Sequence, residues 1–388
     1  MSVRTTRTAL VGVAVATALG ATSLTSTAVA APTAPTPHGH RATQAAIDDI
    51  VRNGAPGVVA EARDRYGVWK GDAGVADRDS GRKRRHNDRY RVASITKIFV
   101  STVMLQLEAE GRLDLDDSVE KWLPGTVRGN GHDGRSITLR RLLNHTSGIY
   151  DYTSDPDFRA TRNGPGFLEH RYDTWTPDQL VAVAMRHEPR FAPGTDWSYS
   201  NTNYVLAGLV IEKVTGRPYG SETERRIIRP LKLRATSVPG TDVRLPRPSG
   251  RAYSTLGADP ADPATTIHDV TELNPSGAWA AGELISDNAD LQRFLSALLT
   301  GRLLPERQLK EMTTAVPVDG SNADDGYGLG LRTLKLSCGT QVWGHTGGIR
   351  GSSSFVAADR SGTHTMAANA NGDWTGGLGK VLEAEFCR

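Results

Sequence analysis

The stretch that decides the fold of this chain is Arg91-Val92-Ala93-Ser94-Ile95-Thr96-Lys97, with the helix predicted to follow it. If that helix begins at Ser94, then Ser94 and Lys97 lie about one turn apart on one face. A hydroxyl and an amine held side by side form a nucleophile and a candidate base. On this stretch alone, however, a helix N-cap is the favoured role of Ser94.

The Ser-x-x-Lys spacing occurs three times in the chain, and sequence context separates the three. Ser80 lies in a polar turn, and Ser118 lies in a short segment that soon meets a proline. Only Ser94 precedes a long run with apolar residues at helical spacing, at Val100, Val103, Met104 and Leu107. Gly111 is the predicted end of that helix.

The chain has 388 residues, a net charge of +3 and an N-terminal stretch typical of secretion. Arg4 and Arg7 precede an apolar run at residues 9–19, and Ala28-Val29-Ala30 forms a small-residue cleavage site. We therefore expect a signal peptide at 1–30, cleaved after Ala30, and a disordered linker at 31–41. The mature protein is expected to be secreted without a membrane anchor, and its nearly neutral charge gives no reason to expect nucleic acid as a partner.

The chain has two cysteines, Cys338 and Cys387. An exported protein with two cysteines is expected to pair them in a disulfide, and the alternative is two buried free thiols.

Strand patterns lie at both ends of the chain and helical patterns in its middle. Two strands are predicted at 57–63 and 68–76, and further strands at 328–334, 341–343, 353–358 and 363–369. Helices are predicted at 43–53, 138–143, from 176 onward, 203–215, 286–300 and 378–386. The expected fold class is α/β (α+β), with an antiparallel sheet built from about 42–93 and 280–387, flanking helices, and an inserted all-helical region at about 94–279.

A second candidate motif is Tyr199-Ser200-Asn201, on a Pro- and Gly-rich loop just before a predicted helix. A tyrosine can relay a proton if nearby cations lower its pKa from about 10, and an asparagine offers a donor and an acceptor to an amide substrate. In isolation, an ordinary helix start remains the favoured interpretation of this triplet.

A third candidate motif is His345-Thr346-Gly347-Gly348, which follows an apolar strand. Glycines at a strand edge let a substrate backbone approach closely, while His345 and Thr346 offer a cation and a hydroxyl to an anionic group. Arg332 is of a type suited to binding a carboxylate. The alternatives are a turn between two strands and an ordinary surface arginine.

Other chemistries find little support in the sequence. It contains no Gly-x-Ser-x-Gly elbow, no His-Glu-x-x-His motif and no phosphate-binding Gly-rich loop with Lys-Ser/Thr. No metal and no cofactor are therefore expected.

The three motifs, in this order, resemble those of the penicillin-recognising serine enzymes. The stretches 143–148 and 150–153 make the chain most similar to the branch of class C β-lactamases and low-molecular-weight penicillin-binding proteins, and to the secreted serine D-Ala-D-Ala carboxypeptidases of actinomycetes. The resemblance covers most of residues 45–388 and implies a β-lactamase/transpeptidase-like fold.

The resemblance also implies a role for each motif residue. Ser94 would be the acylated nucleophile, Lys97 its proton acceptor, and Tyr199 a proton shuttle to the leaving group. Asn201 would hold the substrate amide, and the backbone N–H groups of Ser94 and Gly348 would form the oxyanion hole. The remaining residues implied in substrate binding are His345, Thr346, Gly347, Arg332, Phe158 and Thr161.

The chain departs from its relatives in the pocket. Gly277 stands where those relatives have a cleft tryptophan, with Trp279 two residues on, and Arg350 replaces an uncharged polar residue. Because of these differences, the sequence does not predict which penultimate side chain of a substrate the pocket accepts.

The resulting hypothesis is a secreted, monomeric DD-carboxypeptidase. It would cleave the terminal D-Ala from D-Ala-D-Ala peptidoglycan stem peptides and be inhibited by β-lactams. The alternatives with the same acyl-serine mechanism are a class C-like β-lactamase, a D-amino-acid amidase and an esterase. A non-enzymatic penicillin or peptidoglycan sensor is disfavoured, because it would not need Lys97 and Tyr199.

Overall fold

The computed structural model describes residues 39–162, 164, 166–318 and 325–387. The predicted signal peptide, and the predicted linker as far as residue 38, lie outside the described residues. The linker prediction is wrong at its C-terminal end, because the first helix begins at Arg41. The His40 ring stacks on Trp69 with 5.0 Å between ring centroids and contacts the Glu385 carboxylate, so this part of the chain is packed on the fold.

Most strands in the described part of the chain are short. They are β1 (Gly57–Asp64), β2 (Gly67–Gly74), β3 (Tyr90–Arg91), β4 (Arg128–Gly129), β5 (His132–Asp133), β6 (Tyr253–Ser254), β7 (His268–Asp269), β8 (Ile285–Ser286), β9 (Val316–Pro317), β10 (Gly326–Tyr327), β11 (Arg332–Lys335), β12 (Gln341–Ile349), β13 (Ser352–Asp359) and β14 (Thr365–Ala370).

Helices occupy much of the middle of the chain and also flank the sheet. They are α1 (Arg41–Arg52), α2 (Thr96–Ala109), α3 (Val119–Trp122), α4 (Leu139–Leu143), α5 (Pro156–Arg162), α6 (Phe167–His170), α7 (Pro177–Met185), α8 (Asn201–Thr215), α9 (Tyr219–Thr223), α10 (Arg229–Leu231), α11 (Asn288–Leu299), α12 (Glu306–Thr313) and α13 (Leu378–Phe386).

The main sheet of the described residues is antiparallel and is assembled from both ends of the chain. Its strand order is β2-β1-β14-β13-β12-β11-β10-β9. The N-terminal strand β1 pairs with the C-terminal strand β14, with Ala60 opposite Ala368. The predicted antiparallel sheet from both chain ends is therefore confirmed.

Side chains alternate between two apolar cores on the faces of this sheet. Phe355 faces the core that contains Ile47 of α1 and Val381 of α13. The next residue, Val356, faces the larger core that contains Phe294 of α11 and the helices of the middle region. Helices therefore cover both faces of the sheet, as the sequence predicts.

Three predicted elements differ from the structure. Strand β12 continues past Trp343 to Ile349, because the glycine-rich stretch pairs with β13 from Gly344 opposite Ala357 onward. Tertiary pairing here outweighs the low strand propensity of glycine. The predicted strand 328–334 is instead split into β10 and β11 by a turn with Gly330 at a φ of 78°. Asp287, not Ser286, caps α11, since Ser286 pairs with Tyr90 in the sheet of β3 and β8.

No helix in the described part of the chain is both long and apolar enough to cross a membrane. The expected disulfide is present between Cys338 and Cys387, which are 49 residues apart in sequence with Cα atoms 5.6 Å apart. It ties the turn after β11 to the end of α13.

We predict that replacing both cysteines by serine lowers the free energy of unfolding by up to about 4 kcal/mol, because the bridge closes a long loop in the unfolded chain. Denaturant titration of wild type and double variant measures this difference. The variant should keep its catalytic activity, because the bridge lies outside the cavity that contains Ser94. An unchanged unfolding midpoint would contradict the prediction.

Candidate active site

Ser94 lies in a 3₁₀ turn, Ala93–Ile95, that leads directly into α2. Its hydroxyl does not cap the helix, since the N-cap position of α2 is Ile95 and no side chain caps it. The Ser94 Oγ instead lies 3.2 Å from the Lys97 Nζ. The helix-cap interpretation therefore fails for Ser94, whereas Ser118 of the second Ser-x-x-Lys spacing does cap its helix, α3.

Lys97 is fully buried and its Nζ has three polar neighbours. It lies 2.7 Å from the carbonyl oxygen of Ala281 and 2.8 Å from the Oδ1 of Asn201, besides the Ser94 Oγ. Burial lowers the pKa of Lys97 from 10.5 to about 7, although the Asp151 carboxylate acts in the opposite direction. A substantial fraction of the amine is therefore neutral near pH 7.

The neighbours of Lys97 fix the direction of its lone pair. A neutral amine has two N–H donors, and the Ala281 carbonyl and the Asn201 Oδ1 are both acceptors that cannot donate. These two acceptors take the N–H groups, so the lone pair points at the Ser94 hydroxyl. This arrangement is suited to removing the hydroxyl proton.

Asp151 orients Asn201 and was missed as a site residue in the sequence. The Asn201 Nδ2 donates to both carboxylate oxygens of Asp151, at 3.3 and 3.1 Å, so its Oδ1 must face Lys97. Asp151 also accepts from the backbone N–H of Asn201 and of Thr153. Asp151 lies in the stretch 150–153 that carries the resemblance, but its local pattern, an acid at the start of a short turn, is that of a common capping position.

The Tyr199 hydroxyl is buried next to the catalytic pair. It has no hydrogen bond of normal geometry to the described residues, although its interaction with Ser94 lowers its pKa. Burial is the larger effect and raises the pKa of Tyr199 well above 10, while the Lys97 Nζ lies 4.8 Å from the ring centroid. Tyr199 is therefore a neutral phenol near pH 7, suited to passing a proton on, and the base is Lys97.

His145 packs against Tyr199 with 4.3 Å between ring centroids. Its Nδ1 accepts hydrogen bonds from the backbone N–H of Ser200 and the Nδ2 of Asn203, which places its proton on Nε2. Burial keeps its pKa well below 6.5, so the ring is neutral. The sequence places His145 in the stretch 143–148, but nothing in that stretch indicates the contact with Tyr199.

His345 is not the cation that the sequence suggests. Its Nε2 accepts a hydrogen bond from the Tyr327 hydroxyl at 2.8 Å, and its Nδ1 donates to the carbonyl of Thr346. Burial, followed by the nearby charge of Lys97, lowers its pKa to about 3. The expected charge on His345 is therefore a wrong prediction, and of the predicted group His345, Thr346 and Arg332, the exposed Thr346 hydroxyl and Arg332 are left for the carboxylate of a leaving group.

Arg332 lies at the start of β11, opposite Gly344. Burial raises the pKa of Tyr327 and lowers that of His345, and the Arg332 charge has a smaller lowering effect on both, which places Arg332 near this pair. The Nε of Arg332 is buried and has no hydrogen-bond partner among the described residues.

The glycines of β12 bring the strand against the 3₁₀ turn that carries Ser94. A Cβ at Gly347 would lie 2.1 Å from the carbonyl oxygen of Val92, whereas a Cβ at Gly348 would have no atom within 4 Å. Beyond Gly344 the edge of β12 has no further pairing with β11. Ser94 and Gly348 line the same cavity, as the oxyanion-hole prediction requires.

That cavity has a volume of about 200 Å³ and is lined by Ser94, Asn201, Phe158 and neighbouring residues. Thr161 does not join Phe158 there, because its hydroxyl bonds to the carbonyls of Asp157 and Phe158 in its own helix. Gly277 lines the cavity, while Trp279 packs against Tyr219 with 4.8 Å between ring centroids. Trp279 therefore does not take the place of the cleft tryptophan of the relatives.

Three residues beside the catalytic groups have a left-handed backbone although they are not glycine. They are Ala93, His145 and Trp279, with φ of 50°, 64° and 38°. Such conformations cost about 1–3 kcal/mol each and persist only where the surrounding packing enforces them.

Comparison with known proteins agrees with this geometry. A sequence model of the family described as Beta-lactamase matches residues 41–381. The chain is similar to a D-stereospecific amidohydrolase from Streptomyces sp., with 62% identity and a TM-score of 0.86 over 90% of this chain and 99% of that one. It is also similar to the D-amino acid amidase from Ochrobactrum anthropi SV3, with 30% identity and a TM-score of 0.75 over 88% and 97% of the two chains. The predicted β-lactamase-like fold is confirmed.

One curated relative is the putative penicillin-binding protein PbpX from Bacillus subtilis (strain 168). It is 28% identical over 66% of this chain and 56% of that protein. The chain thus spans little more than half the length of this relative.

We predict that the rate of Ser94 acylation rises with pH to a plateau, with its midpoint at about pH 7, because Lys97 must be neutral to accept the proton. Asp151→Asn should move the midpoint to lower pH, since the Asp151 charge raises the pKa of Lys97. Stopped-flow acylation by a chromogenic ester across pH 5–9 measures both effects. Asp133→Asn, at an exposed position, is the control and should leave the midpoint unchanged. A midpoint that Asp151→Asn leaves in place or raises would contradict the assignment.

We also predict opposite outcomes for two adjacent glycines. Gly347→Ala should lower acylation strongly, by about 10²-fold, because the new methyl group forces β12 away from the turn that holds Ser94. Gly348→Ala should fold normally, because its Cβ meets open space. Acylation rates and unfolding midpoints of the two variants provide the measurement, and equal effects at both positions would refute it.

Proposed function

Because this chain belongs to the Beta-lactamase family of serine acyl-enzyme hydrolases, we propose that it is a D-stereospecific amidase. It would cleave the amide bond of D-amino acid amides through an ester on Ser94. The similarity to the amidohydrolase from Streptomyces sp., at 62% identity, supports this substrate class. The carboxypeptidase hypothesis becomes the second candidate.

The observation that carries the proposal is the uncharged state of His345. A carboxypeptidase must hold the carboxylate of the departing D-Ala, for which a second cation beside Arg332 would be useful. His345 has both ring nitrogens occupied and a pKa of about 3, so it supplies no charge. An amide substrate loses ammonia, which carries no carboxylate and needs no such cation.

The reaction follows from the groups at the site. The Ser94 oxygen attacks the amide carbon while its proton passes to the neutral Lys97. The backbone N–H groups of Ser94 and Gly348 stabilise the negative charge on the carbonyl oxygen. The C–N bond then breaks, and the nitrogen takes the proton from Lys97, relayed through Tyr199, and leaves as ammonia. Water attacks the ester as its proton passes to the neutral Lys97. Lys97 then returns that proton to the Ser94 oxygen as the D-amino acid leaves.

A specific observation keeps the DD-carboxypeptidase as second candidate. The Arg332 guanidinium has a buried Nε without a partner among the described residues and lies beside the Tyr327–His345 pair. A substrate carboxylate would satisfy it. Peptidoglycan stem peptides and β-lactams remain the corresponding ligands of this candidate.

Secretion is also part of the proposal. The disulfide between Cys338 and Cys387 supports it, because such bonds persist mainly in oxidising compartments. A monomeric state stays a prediction.

We predict measurable hydrolysis of D-phenylalanine amide, little hydrolysis of its L-enantiomer, and slower release of D-Ala from a diacyl-L-Lys-D-Ala-D-Ala tripeptide. Ammonia and D-Ala assays with purified protein provide these rates. Ser94→Ala should lower every rate at least about 10³-fold. Faster turnover of the tripeptide would favour the carboxypeptidase, and activity that survives in Ser94→Ala would overturn the acyl-enzyme on that residue.

A further inference from the structure

The cavity beside Ser94 has a positive wall. Arg162 and Arg350 both line it, and the described residues that line it include no aspartate or glutamate. The other side chains around it are neutral, and several are apolar, such as Phe158, Phe167 and Leu273. The neighbouring acid Asp151 is not one of the lining residues, and its carboxylate accepts hydrogen bonds from Asn201 and Thr153.

Arg162 is buried without a counter-ion. It is 8% exposed, and its Nη1 and Nη2 donate to the backbone carbonyls of His170 and Asn274, at 3.1 and 2.8 Å. Among the described residues, it has no carboxylate oxygen within 4.0 Å. A guanidinium stays charged even when burial lowers its pKa, and it has five N–H donors. The two carbonyls occupy only part of this donor set, and the Asp173 carboxylate acts on Arg162 as a charge without an ion pair.

Gly277 makes this position of Arg162 possible. A Cβ at Gly277 would lie only 3.0 Å from the Arg162 Nε, so any larger residue would press on the guanidinium. The carbonyl of Gly277 is itself fixed by the Tyr152 hydroxyl at 2.8 Å. Because Gly277 has no side chain, the Arg162 guanidinium can lie in the cavity wall without a steric clash.

Arg350 lies elsewhere in the wall and is partly neutralised. Its Nη1 lies 3.3 Å from the Asp373 carboxylate and 3.5 Å from the Ser254 hydroxyl. Its Nε is buried without a partner among the described residues. Arg350 therefore adds to the positive potential, but Arg162 is the arginine of this wall without an ion pair among the described residues.

The part of the substrate that becomes attached to Ser94, and not the leaving group, is the part that reaches Arg162 and Arg350. Tyr199, which passes the proton to the leaving group, is close to His345 and Tyr327, with ring centroids 6.2 Å apart in each pair. None of these three aromatic residues lines the cavity. With the leaving group on the side of Tyr199, the side chain of the amino acid being acylated occupies the cavity.

We propose that this cavity selects D-amino acid amides whose side chain ends in a carboxylate, which binds Arg162. The inference rests on the proposed amidase function and names its substrate class. A buried cation that is held by carbonyls and has no ion pair is costly, so an anionic side chain gains more here than a neutral one of the same shape. A side chain that ends in an ammonium group is repelled.

The test compares the α-amide of D-glutamic acid with the α-amide of D-glutamine, which differ at the side chain only in charge. We expect kcat/KM at pH 7.5 to be at least about 10-fold higher for the glutamic acid α-amide, as for a hydrogen bond to a charged group. The amide of D-lysine should be the slowest of the three. Equal values for the first two substrates would overturn the proposal.

Variants test whether the preference for the glutamic acid α-amide depends on Arg162. Arg162→Gln should bring the ratio of the two kcat/KM values close to 1, and Arg162→Lys should keep part of the preference because it keeps the charge. Arg135→Gln removes an exposed arginine and is the matched control, with an unchanged ratio. A ratio that survives in Arg162→Gln would refute the role of Arg162. If that variant does not fold, Arg350→Gln should lower the ratio by weakening the same potential, and an unchanged ratio would count against the proposal.

The two proposals fail in different ways. If no D-amino acid amide is hydrolysed while Ser94 is still acylated by a chromogenic ester, the amidase function is wrong. If D-phenylalanine amide is hydrolysed but charge at the side chain has no effect, only the proposed selectivity is wrong.

Discussion

The three hydrogen bonds on the Nζ of Lys97 are the interaction on which the rest of the site depends. Their partners, Ser94, Asn201 and Ala281, come from three distant segments of the chain. A fully buried amine is stable in its neutral form only if its polar atoms are matched, and these partners match them. The same contacts therefore hold three segments of the chain together around α2 and generate a base near pH 7.

The fold supplies those partners from the two regions of the chain. The helices of the middle region carry Lys97 and Asn201, while the sheet brings β12 against the turn of Ser94. Because β1 pairs with β14, the sheet is complete only when both ends of the chain have joined it. The catalytic geometry is therefore a product of long-range pairing and cannot form within any one segment.

The sequence predicts the periodic parts of this structure well and the electrostatic parts poorly. The strand pair β1–β2 and the helix α13 follow from local patterns, and the motif residues Ser94, Lys97 and Asn201 do meet. The residue type of His345 allows a charge, but charge depends on burial and partners that only the fold fixes. The contact of Asp151 with Asn201 depends on the fold in the same way, and Arg162 lies in no recognisable pattern. The sequence predicts an end of β12 before its glycines, because their pairing with β13 is not local.

The left-handed backbone at Ala93, His145 and Trp279 has an evolutionary consequence. Each of these positions would be more relaxed as glycine, so selection for thermal robustness alone would push them toward that residue. A glycine next to Ser94 would also increase the backbone freedom of the turn, so that Ser94 would be held less firmly beside Lys97 and β12. The chain thus keeps strained residues around its nucleophile. Substitutions that raise thermal stability are therefore safer in helices far from Ser94 than at these three positions.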